Sequence, residues 1–161
     1  MRLAVIALLT LAFANAQATD PWQKLDFLLG KWTGVAGEKD TPLGAGEGDF
    51  SFEAELNRKI VVRRNNAAYN SGPQHHDLMI IYLDPPATPR AIYFDSEGHV
   101  IRYNLAFPAA NRAVFESEAA QPGLRYRLTY WLEGAQLNGK FEFGPPAGEY
   151  KTYMSWTSKR R

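Results

Sequence analysis

No cysteine occurs anywhere in the chain, so disulfide frameworks, thiol nucleophiles, Cys-ligated metals and lipid-modified lipoproteins are all excluded. Charge of either sign is not in excess. Without Arg2 the 18 Lys and Arg fall to 17, against 17 Asp and Glu, and the remainder carries no net charge. That removes the basic footprint expected of a nucleic-acid partner. The only dense basic run is KRR at residues 159–161, which reads as a solvated C-terminus. The apolar run from Leu3 to Phe13 is shorter than the ~20 residues needed to span a bilayer as a helix.

What that N-terminal run does resemble is a secretory leader. Arg2 supplies a short basic region, Leu3–Phe13 the apolar stretch, and Ala14 and Ala16 the small residues of a cleavage site. The expectation is a signal peptide over residues 1–16 and a periplasmic or secreted domain over residues 17–161. A domain of that length can enclose a sizeable core or a cavity. Nine Phe, eight Tyr and four Trp provide large side chains to fill or line it.

Asp20 and Pro21 look like an N-cap and first helical position, and WQKLDFLLG places Trp22, Leu25, Phe27 and Leu28 on one side before Gly30. One short helix is predicted there. Beyond Gly30 the period changes to two. GDFSFEAEL alternates Phe50, Phe52, Ala54 and Leu56 with Asp49, Ser51, Glu53 and Glu55, the pattern of a strand with one wet face. About ten such strands follow one another, separated by short turn-rich pieces such as NSGPQ, DPPATP and DSEG. Connections this short permit only antiparallel neighbours. An all-β, up-and-down antiparallel barrel is therefore predicted, since closure removes the two exposed edges of the sheet. Eight strands leave just room for side chains or one small ligand, so ten leave a cavity unless rings fill it. A flattened sandwich with a solid core is the alternative.

Within LDFLLGKWTG, residues 25–34, the Gly30-Lys31-Trp32 triplet after a short helical segment resembles the opening of lipocalin-like proteins. The resemblance implies that Trp32 plugs one end of the barrel and that Lys159 or Arg160 packs over it. The L-G-x-W-x-G opening is also similar to nitrobindin-like haem barrels. RRNN, HHDLMIIY and YFDSEGHVIRY in that order are similar to exported bacterial lipocalin-like proteins of uncharacterised function. The haem barrels ligate iron through a His near the C-terminus, and residues 144–161 contain none.

The chemical candidates concentrate in AIYFDSEGHVIRY, residues 91–103. Asp95, Ser96, Glu97 and Gly98 are residues that a hairpin turn favours. With a two-residue loop, Ile92 and Phe94 would share the inner face with His99, Ile101 and Tyr103. His76 on the preceding strand, with Tyr82, Tyr93 or Tyr103, would add polar groups at one end of an apolar cavity. On KIVVRRNN, inward Ile60 and Val62 would carry Arg64 and Asn66 inward too. An interior Arg needs a carboxylate, from the protein or from a ligand. LRYRLTYWL sends Tyr126, Leu128, Tyr130 and Leu132 inside, joined by Phe141, Phe143, Met154 and Trp156.

The expected ligand-binding set is Arg64, His76, Tyr82, His99, Tyr103 and Tyr130, with no catalytic residue, metal ligand or cofactor assigned. Adjacent His75 and His76 point to opposite faces of a strand, and no zinc-type spacing occurs. The expected partner is a small, mostly apolar molecule held in the cavity, without nucleic acid or membrane span; no protein partner is implied. The competing readings are a haem- or metal-binding barrel and an enzyme acting on an apolar substrate.

Overall fold

The computed structural model describes residues 21–118 and 123–161, and the leader expected over residues 1–16 lies outside the described residues. Among the described residues ten strands succeed one another: β1 (Gly30–Ala36), β2 (Gly46–Glu55), β3 (Ile60–Tyr69), β4 (His75–Asp84), β5 (Thr88–Asp95), β6 (Val100–Ala109), β7 (Arg112–Ser117), β8 (Arg125–Glu133), β9 (Gln136–Gly144) and β10 (Lys151–Arg160). Each pairs antiparallel with its sequence neighbour, and β1 pairs with β10 from Trp32↔Arg160 to Val35↔Thr157. The sheet therefore closes into a barrel without a free edge. No helix of the described residues is long and apolar enough to cross a membrane.

The N-terminal segment is a single 3₁₀ turn, Pro21–Leu25, rather than the regular helix expected. Its continuation keeps the same i→i+3 bonding, with Leu28 N donating to Leu25 O at 2.9 Å and Leu29 N to Asp26 O at 3.2 Å. So short a piece cannot offset the cost of nucleating an α-helix, and burial decides its conformation instead. Trp22, Leu25 and Leu28 all join the buried core beside Trp32. The Trp32 Nε1–H donates to the Leu28 carbonyl at 2.8 Å. Arg160 lies over the Trp32 ring at 4.5 Å and donates from Nη1 to the Leu29 carbonyl at 2.7 Å. Of the two basic residues considered, Arg160 is the one that covers the tryptophan.

The turn after β2 sets up the pairing that decides which residues of β3 face inward. It contains four residues, Leu56 to Lys59, because Glu55 pairs with Ile60 and Lys59 N donates to Glu55 O at 3.1 Å. Leu56, Asn57 and Arg58 all adopt positive φ. Paired residues share a face, so buried Phe52 brings its partner Arg63 inside, and Ala54 brings Val61. Arg64 and Asn66 therefore point outward, the reverse of the expected phase.

A small residue lets a large one lie close against the barrel wall. On β9 the ideal Cβ of Gly139 would stand 2.1 Å from the Trp156 ring, so the indole lies flat where only glycine permits it. Gly139→Val should push Trp156 aside and cost about 1–3 kcal/mol of stability, the usual penalty for overpacking. Urea unfolding followed by tryptophan fluorescence checks it; an unchanged midpoint and spectrum would mean that the ring has somewhere else to go.

Candidate functional site

A cavity of about 700 Å³ occupies the end of the barrel away from Trp32, bounded by residues of the β1–β2, β3–β4 and β5–β6 connections, including Leu43, Pro73 and Glu97. Nine Phe, Tyr and Trp side chains contribute to its walls. Tyr126 and Phe141 stack at 5.9 Å with their planes 9° apart, and Tyr93 meets Tyr103 edge-on at 6.5 Å. Met154 and Trp156 complete the wall from β10. Such a lining suits an apolar, ring-containing guest.

A buried ion pair lies in the wall of this cavity. Arg63 Nη1 donates to Asp77 Oδ1, and both side chains are almost fully enclosed. Asn65 Nδ2 donates to the second Asp77 oxygen at 2.8 Å. The guanidinium is flanked by the rings of Phe50 at 5.6 Å and Tyr130 at 5.9 Å. Burial works against the Arg63 charge, but the Asp77 carboxylate outweighs it and holds the pKa above the ordinary arginine range. Burial also raises the phenols of Tyr93 and Tyr103, and it pushes Tyr130 up to about 12 against the opposing Arg63 charge. These phenols are therefore neutral hydrogen-bonding groups at physiological pH.

Above the pair sits a polar rim. His75 places Nε2 3.1 Å from Asp77 Oδ2 and 3.1 Å from the Tyr93 hydroxyl, while Nδ1 stands 3.0 Å from Glu97 Oε2. The hydrogen bond to Asp77 raises the His75 pKa above its usual value, against burial. The β5–β6 turn holds three residues, Ser96 to Gly98, because Asp95 N donates to His99 O and Gly98 accepts a φ of 89°. Asp95 Oδ1 accepts from the backbone of Glu97 at 3.1 Å and of His99 at 2.8 Å, and Oδ2 lies 2.8 Å from His99 Nδ1. Burial would raise the Asp95 pKa, but these bonds from His99 win and lower it.

The expected residues divide accordingly. Tyr103 is buried in the cavity wall and His99 lies on its exposed lip. Tyr130 is buried beneath, in ring contact with Phe50, Phe52, Phe115 and Trp156. Arg64 is outside, bonded to Glu55 at 2.9 Å. His76 is also outside, with Nδ1 2.6 Å from Asn66 Oδ1. Tyr82 alternates with buried Met79 and Ile81 and so takes the outer face of β4. The three-residue turn pairs Phe94 with Val100 and Tyr93 with Ile101, which turns Ile92 and Phe94 out and puts Tyr93 inside. Sequence reasoning thus missed Arg63, His75, Asp77 and Glu97 as cavity residues. The signal lay one position away, in RR, HHD and DSEG: pairing with inward Phe52 selects Arg63, alternation with buried Asp77 selects His75, and the three-residue turn sets the phase of β5 against β6.

The raised His75 pKa has a definite sign. Protonation stabilises the fold fully below the unfolded value of 6.5, and that contribution fades as pH rises through the higher folded value. With chelator present, the stability lost in His75→Gln should be larger at about pH 6 than at about pH 8.5. Urea midpoints measured at both values check it, and a loss that grows with pH would refute the assignment.

No family model matches the chain, and no curated protein matches it. Among solved structures, the crystal structure of Rv2717c from M. tuberculosis is similar, with a TM-score of 0.61 at 11% identity over 87% of this chain and 96% of that one. A second, EF1p2_mFAP2b bound to DFHBI, has a TM-score of 0.46 at 9% identity, covering 86% of this chain and 98% of that one. At such identity the likeness to Rv2717c is one of fold: this chain, too, is a closed antiparallel β-barrel.

Proposed function

We propose that the chain is an exported, lipocalin-like protein that holds a small, mostly apolar molecule non-covalently in its barrel. The observation that carries this reading is the cavity of about 700 Å³, walled by aromatic rings at one end of the barrel while Trp32 and the N-terminal segment fill the other. That volume lies in the range of small-molecule pockets. A guest burying ~300 Å² of apolar surface gains roughly 7 kcal/mol before the cost of association, enough to drive binding without a covalent bond. Orientation comes from polar groups at one side: the Tyr93 and Tyr103 hydroxyls, His75 and, at the lip, His99. Arg63 contributes little free charge, because Asp77 already neutralises it. A fatty-acid-type carboxylate therefore lacks the unpaired arginine that it would need.

Two measurements test this reading. Nile red, a neutral dye, should bind with one-to-one stoichiometry and gain fluorescence, and an apolar adduct should survive native mass spectrometry. Ala67→Phe places a ring in the cavity and should weaken dye binding at least about tenfold. Equal binding by this variant would place the dye elsewhere and remove the proposal. Export predicts that protein recovered from the host envelope begins at Gln17; an intact Met1 would contradict it.

A further inference from the structure

We propose that the barrel mouth carries a divalent-metal site formed by His75 Nδ1, Glu97 and Asp95, with zinc as the cation that suits its donors. The three side chains come from the start of β4, the β5–β6 turn and the end of β5, and their ligand atoms all lie within 4.8 Å of one another. Spacing along the sequence conceals them, because it is the pairing Asp77↔Asp95 that brings the two strands together.

His75 is held between two acids. Both ring nitrogens face carboxylates, Nε2 toward Asp77 and Nδ1 toward Glu97, yet a neutral imidazole has a single N–H. In the tautomer that carries its proton on Nε2, that proton meets Asp77, which Arg63 and Asn65 fix in place. The Nδ1 lone pair then points at the Glu97 carboxylate, an arrangement that repels unless a cation lies between them. A divalent cation placed between them removes the repulsion, and two carboxylates balance its two charges.

The surroundings match what a metal-binding histidine requires. A carboxylate that accepts the distal N–H fixes the tautomer and strengthens the proximal nitrogen as a ligand, which is the part Asp77 takes here. Ser96 Oγ donates to Glu97 Oε1 at 3.2 Å, leaving Oε2 directed at His75. His99 holds Asp95 in the same way, through its ring and its backbone N–H. Two ligands about 2.0 Å from a tetrahedral zinc stand about 3.3 Å apart, and His75 Nδ1 and Glu97 Oε2 are already separated by 3.0 Å. One imidazole and two carboxylates form a borderline donor set, and three protein ligands leave a coordination position for water or for a guest at the mouth. The site is independent of whether the cavity accepts an apolar molecule.

Isothermal titration of Zn²⁺ into chelator-stripped full-length protein at about pH 7.5, above the ordinary imidazole pKa, tests the site. One ion per chain is expected, with proton release. Glu97→Gln and His75→Ala should each weaken binding by roughly 10–100-fold. His76→Ala, on the outer face, should leave it unchanged. Glu97 is exposed, so Glu97→Gln decides the matter should His75→Ala not fold. Absence of binding, equal affinity in Glu97→Gln, or loss in His76→Ala would each overturn the proposal.

Discussion

Everything in this molecule depends on the hydrogen-bonded seam between the first strand and the last. A ten-stranded sheet that closes on itself has a fixed girth, and that girth exceeds what a single layer of inward side chains fills. The seam is reinforced where it matters: Arg160, at the end of β10, lies on Trp32 of β1 and bonds to the Leu29 carbonyl. One arginine thus links the closing strand, the plugging ring and the N-terminal segment. Void at the opposite end follows from geometry, because the segment that could fill it is committed to the other side.

The second organising element is the buried pair Arg63–Asp77. Two charges removed from water gain little net stability unless their remaining bonding capacity is met. Here Asn65, the rings of Phe50 and Tyr130, and His75 surround them. The pair dictates the orientation of everything above it. Asp77 positions His75, His75 faces Glu97, and the three-residue turn carrying Glu97 is held by Asp95. The polarity of the rim thus descends from one ion pair in the barrel wall.

Much of the architecture was legible in the sequence, for reasons that are physical. Period-two alternation over GDFSFEAEL, LRYRLTYWL and FEF identifies inner faces directly, and Tyr126, Leu128, Phe141 and Phe143 lie where alternation puts them. The site was less legible because phase depends on turns. Pairing with inward Phe52 selects Arg63 rather than Arg64 as the interior cation, and a three-residue turn in place of two exchanges Phe94 for Tyr93. His75 takes the inward place expected of His76 because it alternates with buried Asp77, Met79 and Ile81. Alternation gives the period of a strand but not its origin, and an error of one residue inverts every assignment along it. The 3₁₀ turn at Pro21–Leu25 was misjudged for another reason: its conformation is set by what Trp22 and Leu25 bury against, which capping signals do not report.

The plug at Trp32 has a kinetic corollary. For the guest proposed above, a vessel sealed at its base offers one doorway, so arrival and departure would retrace a single path. Its residence time would then be governed by the lip, where Val35, Val100 and Leu124 project greasy side chains into solvent around the opening. The base confers rigidity; the hem sets the tempo.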